Sequence, residues 1–493
     1  MDSSIFKDLK VLVIHALRPT SRQTTIDHLT SFSKHMSGAD VQYLHFQQPI
    51  PKECASASPD LVIVNYDFLN YRFTPLWPFI KNRHKDIAQR ANKLVAIVQD
   101  DFWGSKLIDD WCIDWDVDRI LTPIDNDLEV LYPRSIKRKE FRTCLTGYIS
   151  EFETIETTHL RERPIDLGQR VRDMSPHLGR FAQSKSIQAT VMADAARRAG
   201  FIVDVSTRVE DSFIGKSWFE FLASCKFTVG MKGGASLHDP VGLLHTKVNS
   251  YLVRYPNVNF DEIERKFFQG KDMKYRFSAI SPRLFESASA GTCQILQHDD
   301  YLGVLEPWRD YIPLEADFSN IDEVVSSMRD LDKCQEIVNN ATRNLIESGL
   351  FNYSKLVEIA TSGLVTTNRT SQHGWGELKS YLKRVSAVAE SGRIELHDAV
   401  LNAIDKYFIF SDIDSATFKK DLALGSVGAD SRVALRTVLE SLDSESDKNW
   451  FEEVLATVRS DSKSKLFPWM WRPLLLVNYE HSFGSRYVDD QSR

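Results

Sequence analysis

Along the first third of the chain, short apolar runs alternate with segments whose apolar residues recur at helical spacing. Residues 10–16 (KVLVIHA), 41–46, 61–66, 93–98 and 118–122 read as strands. After the first of them Ile26, Leu29 and Phe32 share one face of a helix over 24–35. Apolar runs without polar alternation belong to strands covered on both faces, so the pattern predicts a parallel, doubly wound α/β domain. A second alternation begins at Pro164. Strands are expected over 165–170, 201–205, 226–229, 293–296 and 311–314. Helices are expected through Ile187, Val191 and Ala195, and over 218–222, 321–329 and 334–348. The polar run 151–163 between the two halves reads as a linker. From about residue 370 no strand pattern remains, and amphipathic helices are expected over 375–391, 395–408, 415–422, 433–442 and 450–458. The expected organisation is therefore a first domain over 1–150, a second over 164–365 and a helical appendage over 370–493. In such sheets ligands bind beyond the carboxyl ends of the strands, which places the loops at 15–25 and 99–104 on the functional rim.

Composition narrows the class. A chain of 493 residues exceeds one hydrophobic core, and 42% hydrophobic with 26% charged residues is ordinary for a globular protein. A net charge of −7 argues against general nucleic-acid affinity. The six cysteines show no CxxC spacing, which suits reduced, buried thiols in the cytoplasm. The opening MDSSIFKDLK lacks the apolar stretch of a signal peptide, and no apolar run approaches the ~20 residues that span a bilayer. The expectation is a cytoplasmic protein, at most peripheral to a membrane. For a peripheral contact the place is the tail, where Phe467, Trp469 and Trp471 follow Lys463 and Lys465. The plainer reading is a strap that packs back across the first domain.

The candidate chemistry gathers in the second half. In SPRLFESASAGTCQIL (281–296), Arg283 and Glu286 open a helix of small residues that closes at Gly291 before an apolar strand. A helix start with a guanidinium suits a diphosphate, and a carboxylate one turn on suits sugar hydroxyls. The bland alternative is a surface ion pair. Arg180 and Lys185, at another helix start, supply two more cations, or simply a solvated basic face. Gly233-Gly234 follows a strand and permits close backbone approach. In the first half, Asp27 and His28 start a helix and Asp100-Asp101 end a strand. Asp27 or His28 offers a general base, against the plainer reading of Asp27 as a helix-start acid favoured by the dipole; Asp100-Asp101 is the other acid candidate, or a pair for a metal. Clustered His or Cys metal ligands are absent, as are the G-x-S-x-G, P-loop and G-x-G-x-x-G patterns.

SPRLFESASAG resembles the donor-site segment of GT-B glycosyltransferases. The wider run ISPRLFESASAGTCQIL…YLGVLEPWRDYIPLEADFSNIDEV is similar to a bacterial family of surface-polysaccharide glycosyltransferases, over about residues 10–364. The resemblance implies an α/β, GT-B-like fold of two Rossmann-like domains facing a cleft, with a C-terminal helical region added. It implies transfer of a sugar from a nucleotide-sugar donor to a glycan or lipid-linked hydroxyl, without a metal or a separate cofactor. It gives Glu286 the ribose, Arg180, Lys185 and Arg283 the phosphates, Gly233 and Gly234 the donor turn, and Asp27 and His28 the acceptor side. Two positions depart from the pattern. Lys232 stands where an acid usually precedes the glycines, and Ser278 stands where retaining enzymes carry a first glutamate, eight places before Glu286. The stereochemical outcome is therefore not carried over, and a non-catalytic glycan-binding or scaffold protein of the same fold is the alternative.

Overall fold

The computed structural model describes residues 3–388, apart from 18–22, 47–49, 51–53, 55, 74–76, 78–80, 83, 150–156, 209, 214–215 and 365–373. Six strands, β1 (Lys10–His15), β2 (Asp40–His45), β3 (Leu61–Val64), β4 (Lys93–Ile97), β5 (Arg119–Thr122) and β6 (Glu140–Thr143), form the first sheet. All are parallel, in the order β2-β1-β3-β4-β5-β6. The second half adds β7 (Ile165–Arg170), β8 (Val203–Ser206), β9 (Cys225–Gly230), β10 (Gly233–Ala235), β11 (Phe277–Ala279), β12 (Cys293–Gln297) and β13 (Ile312–Leu314). Five of these make a parallel sheet ordered β13-β12-β9-β7-β8, and β10 with β11 makes a two-stranded antiparallel ribbon. Counted from its own start, the first sheet runs 2-1-3-4-5-6 and the second 2-1-3-4-5. Each therefore reverses between its first and third strands, the switch point where doubly wound sheets open a crevice. The chain is thus two Rossmann-like α/β units, as expected of a GT-B-like fold.

The apolar runs form these strands because both faces are covered. On one face of the first sheet Leu12, Ile14, Val62, Val64 and Ala96 pack with Phe68, Trp111 and Trp115. On the other, Val11, Val13, Leu61, Ile63, Val95 and Ile97 meet Leu29 and Phe32. The period of two along each strand sorts the side chains between the two cores. All six cysteines are buried and unbridged. Among the described residues no helix is long and apolar enough to cross a membrane.

Several elements differ from the expected plan. Strand β6 is half-exposed and polar, so it leaves no apolar run. Helix Ser105–Asp114 went unread because Asp109 lies on its buried side, where its carboxylate accepts from the backbone N–H groups of Arg134 and Ser135. Helix Tyr353–Thr361 falls on the second-domain side of the boundary expected at 365, yet Leu356, Val357 and Ala360 pack into the first core. Arg119, itself buried, fixes that helix by donating to the carbonyls of Ile359, Ala360 and Ser362. Helix Trp375–Val388 lies along edge strand β2, where Trp375 and Lys379 both donate to Asp40. The helices expected beyond residue 388 and the aromatic tail lie outside the described residues.

Among the described residues, main chain pairs with main chain between the two units at two places. Outgoing Ile149 and returning Phe351 and Tyr353 pair main chain to main chain. The second joint lies beside the cleft, where Trp103 and Asp239 form a parallel bridge. Gly104 N–H donates to Asp239 O at 2.7 Å and Asp239 N–H to Phe102 O at 3.2 Å.

Candidate active site

The switch point of the second sheet supplies the floor. Helix Arg180–Arg198 follows β7, and one and a half turns in it carries Lys185. The ammonium sits against Gly233, where a Cβ would approach it to 3.1 Å, so the missing side chain makes its room. Burial and, after it, the Arg283 charge lower the Lys185 pKa to about 8, against the opposing pull of Asp100 on the facing domain. Among the described residues no hydrogen bond or ion pair satisfies this ammonium. A buried cation beside a second cation is a costly arrangement without an anion.

Arg283 and Glu286 come from helix Pro282–Ser289, which starts on extended Ser281 with Pro282 in its first turn. The guanidinium donates to the Arg170 carbonyl at the end of β7 and lies 5.0 Å from the Trp218 ring centroid. Glu286 accepts a hydrogen bond of 2.8 Å from Trp218 Nε1. At the far end, Gly291 takes φ +61° and buried Arg163 collects the carbonyls of Thr158, Cys225 and Ala290 with Thr292 Oγ1. The polar linker expected over 151–163 thus ends in a core staple.

The first domain contributes Asp100, at the carboxyl end of β4, in the left-handed region with φ 52°. That turn separates the acid pair. Asp100 is exposed on the cleft side, whereas Asp101 is fully buried and accepts from Thr122 and from Tyr132 at 2.7 Å. Asp101 is structural, and burial raises its pKa. The remaining loop, Phe102–Gly104, makes the cleft-side joint, with Trp103 packed on Phe73, His177 and His245.

Lys185, Gly233, Arg283 and Glu286 are therefore brought to one crevice, and Asp100 faces it. The other expected residues are not. Arg180 is half-exposed and pairs with Asp261 at 2.8 Å and with Glu264. Five residues at ~100° each set it about 140° around the helix from Lys185, so the two cannot share a face. The helix start is already occupied by a protein carboxylate. Asp272 accepts the Arg180 N–H at 2.8 Å, and Ser236 Oγ accepts that of Phe181. Gly234 is required by backbone alone, because a Cβ there would fall 1.9 Å from Phe277 O in the antiparallel ribbon. Lys232 is buried with Asp299 at 3.5 Å, and Ser278 sits opposite Gly234 in β11.

On helix Gln23–His35, Asp27 is partly buried, 3.9 Å from Lys34, while His28 turns into the core. Burial lowers the His28 pKa to about 4, and the ring packs edge-on against Tyr66 and Tyr353. Asn65 lies against it, yet neither ring nitrogen meets a partner at hydrogen-bond geometry among the described residues. Tyr353 feels both the Asp27 and the Glu286 carboxylates, after burial, as forces holding its phenol proton. Two residues escaped sequence reasoning altogether. Trp218 reads only as part of a short helix, and Arg163 only as linker polarity; neither has a local pattern that signals its partners. Among the described residues no group of three or more His, Cys, Asp or Glu is placed to hold a metal ion.

No family model matches the chain, and no curated protein matches it in sequence. Solved structures similar to it include TarM, at 9% identity over 61% of this chain and 55% of TarM, with a TM-score of 0.36. HepE from Anabaena, solved with UDP and glucose, matches at 10% identity over 71% of this chain and 97% of its own, with a TM-score of 0.38. An α1,3-fucosyltransferase with GDP matches at 10% identity over 75% of this chain and 93% of its own, with a TM-score of 0.37. This chain spans about half the length of TarM and nearly all of the other two. At scores this low the likeness adds no residue to the site, and the fold rests on the two strand orders themselves.

Proposed function

We propose that the chain is a glycosyltransferase that moves a sugar from a nucleotide-sugar donor to a hydroxyl of a glycan or lipid-linked acceptor, in surface-polysaccharide assembly. The observation that carries the reading is the Lys185 ammonium, buried beside Arg283 against a glycine floor, with Asp100 facing it across the cleft. Two fixed cations in a crevice suit a diphosphate leaving group, whose developing negative charge they stabilise. Glu286 takes the ribose hydroxyls. Asp100, rather than Asp27 or buried His28, receives the acceptor proton. In the transfer the acceptor oxygen forms a bond to the anomeric carbon as the bond from that carbon to the diphosphate oxygen breaks. The electron pair leaves on the phosphate, beside Lys185 and Arg283. Nothing in this assignment requires a divalent metal, because the protein's own cations meet the phosphates.

Purified full-length protein is assayed for release of nucleoside diphosphate from a panel of nucleotide sugars. Turnover of at least one donor, lost in Asp100→Asn and retained in excess chelator, is the expected result. Activity that disappears in chelator and returns with magnesium or manganese refutes the metal-free assignment. Donor binding without turnover for any acceptor favours the non-catalytic alternative, to which Lys232 and Ser278 already lend weight. Absence of nucleotide binding removes the transferase reading entirely.

A further inference from the structure

Arg283 and Glu286 are three residues apart, and one side chain touches both. Trp218 lies on helix Lys216–Ser224, 9% exposed, packed in a small core with Phe221, Leu222, Cys225 and Ala290. Its ring is stacked on Phe221 at 6.0 Å between centroids. Its indole N–H donates to Glu286 Oε2 at 2.8 Å, and its face carries the Arg283 guanidinium at 5.0 Å. A rigid, buried aromatic therefore fixes the rotamers of a flexible acid and a flexible cation together. Long side chains lose rotamer freedom when they are ordered, a cost that a preformed partner removes from the binding step.

We infer that Trp218 is a positioning residue that aims Glu286 at the ribose and thereby sets selectivity for ribonucleoside over deoxyribonucleoside diphosphates. The inference rests on the donor-site reading above and adds to it a source of sugar discrimination. A carboxylate anchored by a rigid donor such as the Trp218 indole presents its remaining acceptor positions in a fixed direction. Hydrogen bonds from the ribose hydroxyls are made only in that direction, and a nucleotide lacking them forfeits the contact. Trp218 does not touch the ribose. Its effect passes through Glu286, while the aromatic face steadies the residue that meets the phosphates.

The test is isothermal titration of the full chain with UDP, GDP and ADP and with their 2′,3′-dideoxy counterparts. Trp218→Phe keeps an aromatic ring in the core and deletes the indole N–H together with the pyrrole half of the ring. Affinity for the ribonucleotide that the wild type binds should fall roughly tenfold, while affinity for its dideoxy form stays unchanged. Glu286→Gln should show the same loss of discrimination, and Trp218→Phe added to it should cost nothing further. Equal weakening of both nucleotide forms marks Trp218 as merely structural and overturns the inference, as does an unchanged ratio. If Trp218→Phe does not fold, as judged by its melting temperature, Glu286→Gln decides alone. A ratio in that variant equal to the wild type's is then fatal. A wild type that binds none of these nucleotides refutes the donor site first, and this inference falls with it. A wild type that binds but does not discriminate refutes only the inference.

Discussion

Replacing Lys185 with methionine should make the protein more stable and worse at binding. In the folded chain the ammonium is pushed from 10.5 to about 8, chiefly by burial and then by Arg283. Holding the proton there costs free energy that the unfolded chain does not bear. At ~1.36 kcal/mol per tenfold, the drop corresponds to about 3 kcal/mol. The sign follows from proton counting. Between pH 8 and 10.5 the unfolded chain binds a proton that the folded chain has released, so wild-type stability rises with pH through that window. The full penalty therefore stands below pH 8. Lys185→Met keeps most of the length and volume of the side chain and removes the charge, so at pH 7 the variant should gain about 2–3 kcal/mol by urea denaturation. At pH 10 the advantage should shrink to about 1 kcal/mol, because most of the wild-type penalty has been relieved. The same variant should lose roughly tenfold or more in nucleoside diphosphate affinity at pH 7. Opposite signs for stability and binding are the signature of a cation placed for a ligand. A variant less stable than wild type at pH 7, or a gap independent of pH, refutes the reasoning.

Three further outcomes are expected. Arg283→Ala removes a phosphate partner worth ~1.5–3 kcal/mol, so titration should show at least roughly tenfold weaker binding with an unchanged circular dichroism spectrum. Arg163→Met strands the carbonyls of Thr158, Cys225 and Ala290 and should cost at least about 3 kcal/mol in urea denaturation. Asp272→Ala uncaps helix Arg180–Arg198 and should lower stability by ~1–2 kcal/mol while leaving nucleotide affinity intact; a change in affinity would return the phosphates to that helix start.

The strands were legible where they are buried on both faces, as in β1, β3, β4, β9 and β12, because burial leaves an unbroken apolar run. They were illegible where packing is one-sided or made by backbone. Strand β6 is polar and half-exposed, and β10 is Gly-Gly-Ala. The proximity of Arg283 and Glu286 on helix Pro282–Ser289 was readable because three-residue spacing puts them on one face whatever the surroundings. The Arg180 and Lys185 pair misled for the same kind of reason, since five-residue spacing turns one away from the other once the helix has formed. The different fates of Asp100 and Asp101 depend on one left-handed residue, which no composition signal specifies. The domain boundary was misplaced because helix Tyr353–Thr361 is held by carbonyl contacts to Arg119, more than two hundred residues earlier.

Because the cleft-side joint between the two domains is made of N–H and C=O groups, its inheritance differs from that of the site it flanks. Lys185 or Arg283 can be lost by one substitution, but Trp103 and Asp239 contribute to the bridge through atoms that every amino acid except proline possesses. The side chains there serve other contacts, Trp103 on Phe73 and His245 and the Asp239 carboxylate as acceptor from the His245 backbone N–H. The constraint falls instead on shape, at Gly104, where φ is +73° and a Cβ would lie 2.6 Å from the Phe73 ring. Domain registration in such a chain can outlast the residues that give it a chemical purpose. A descendant that had lost its cations would still hold its two sheets at the same spacing, and a search for shared side chains would pass over the joint.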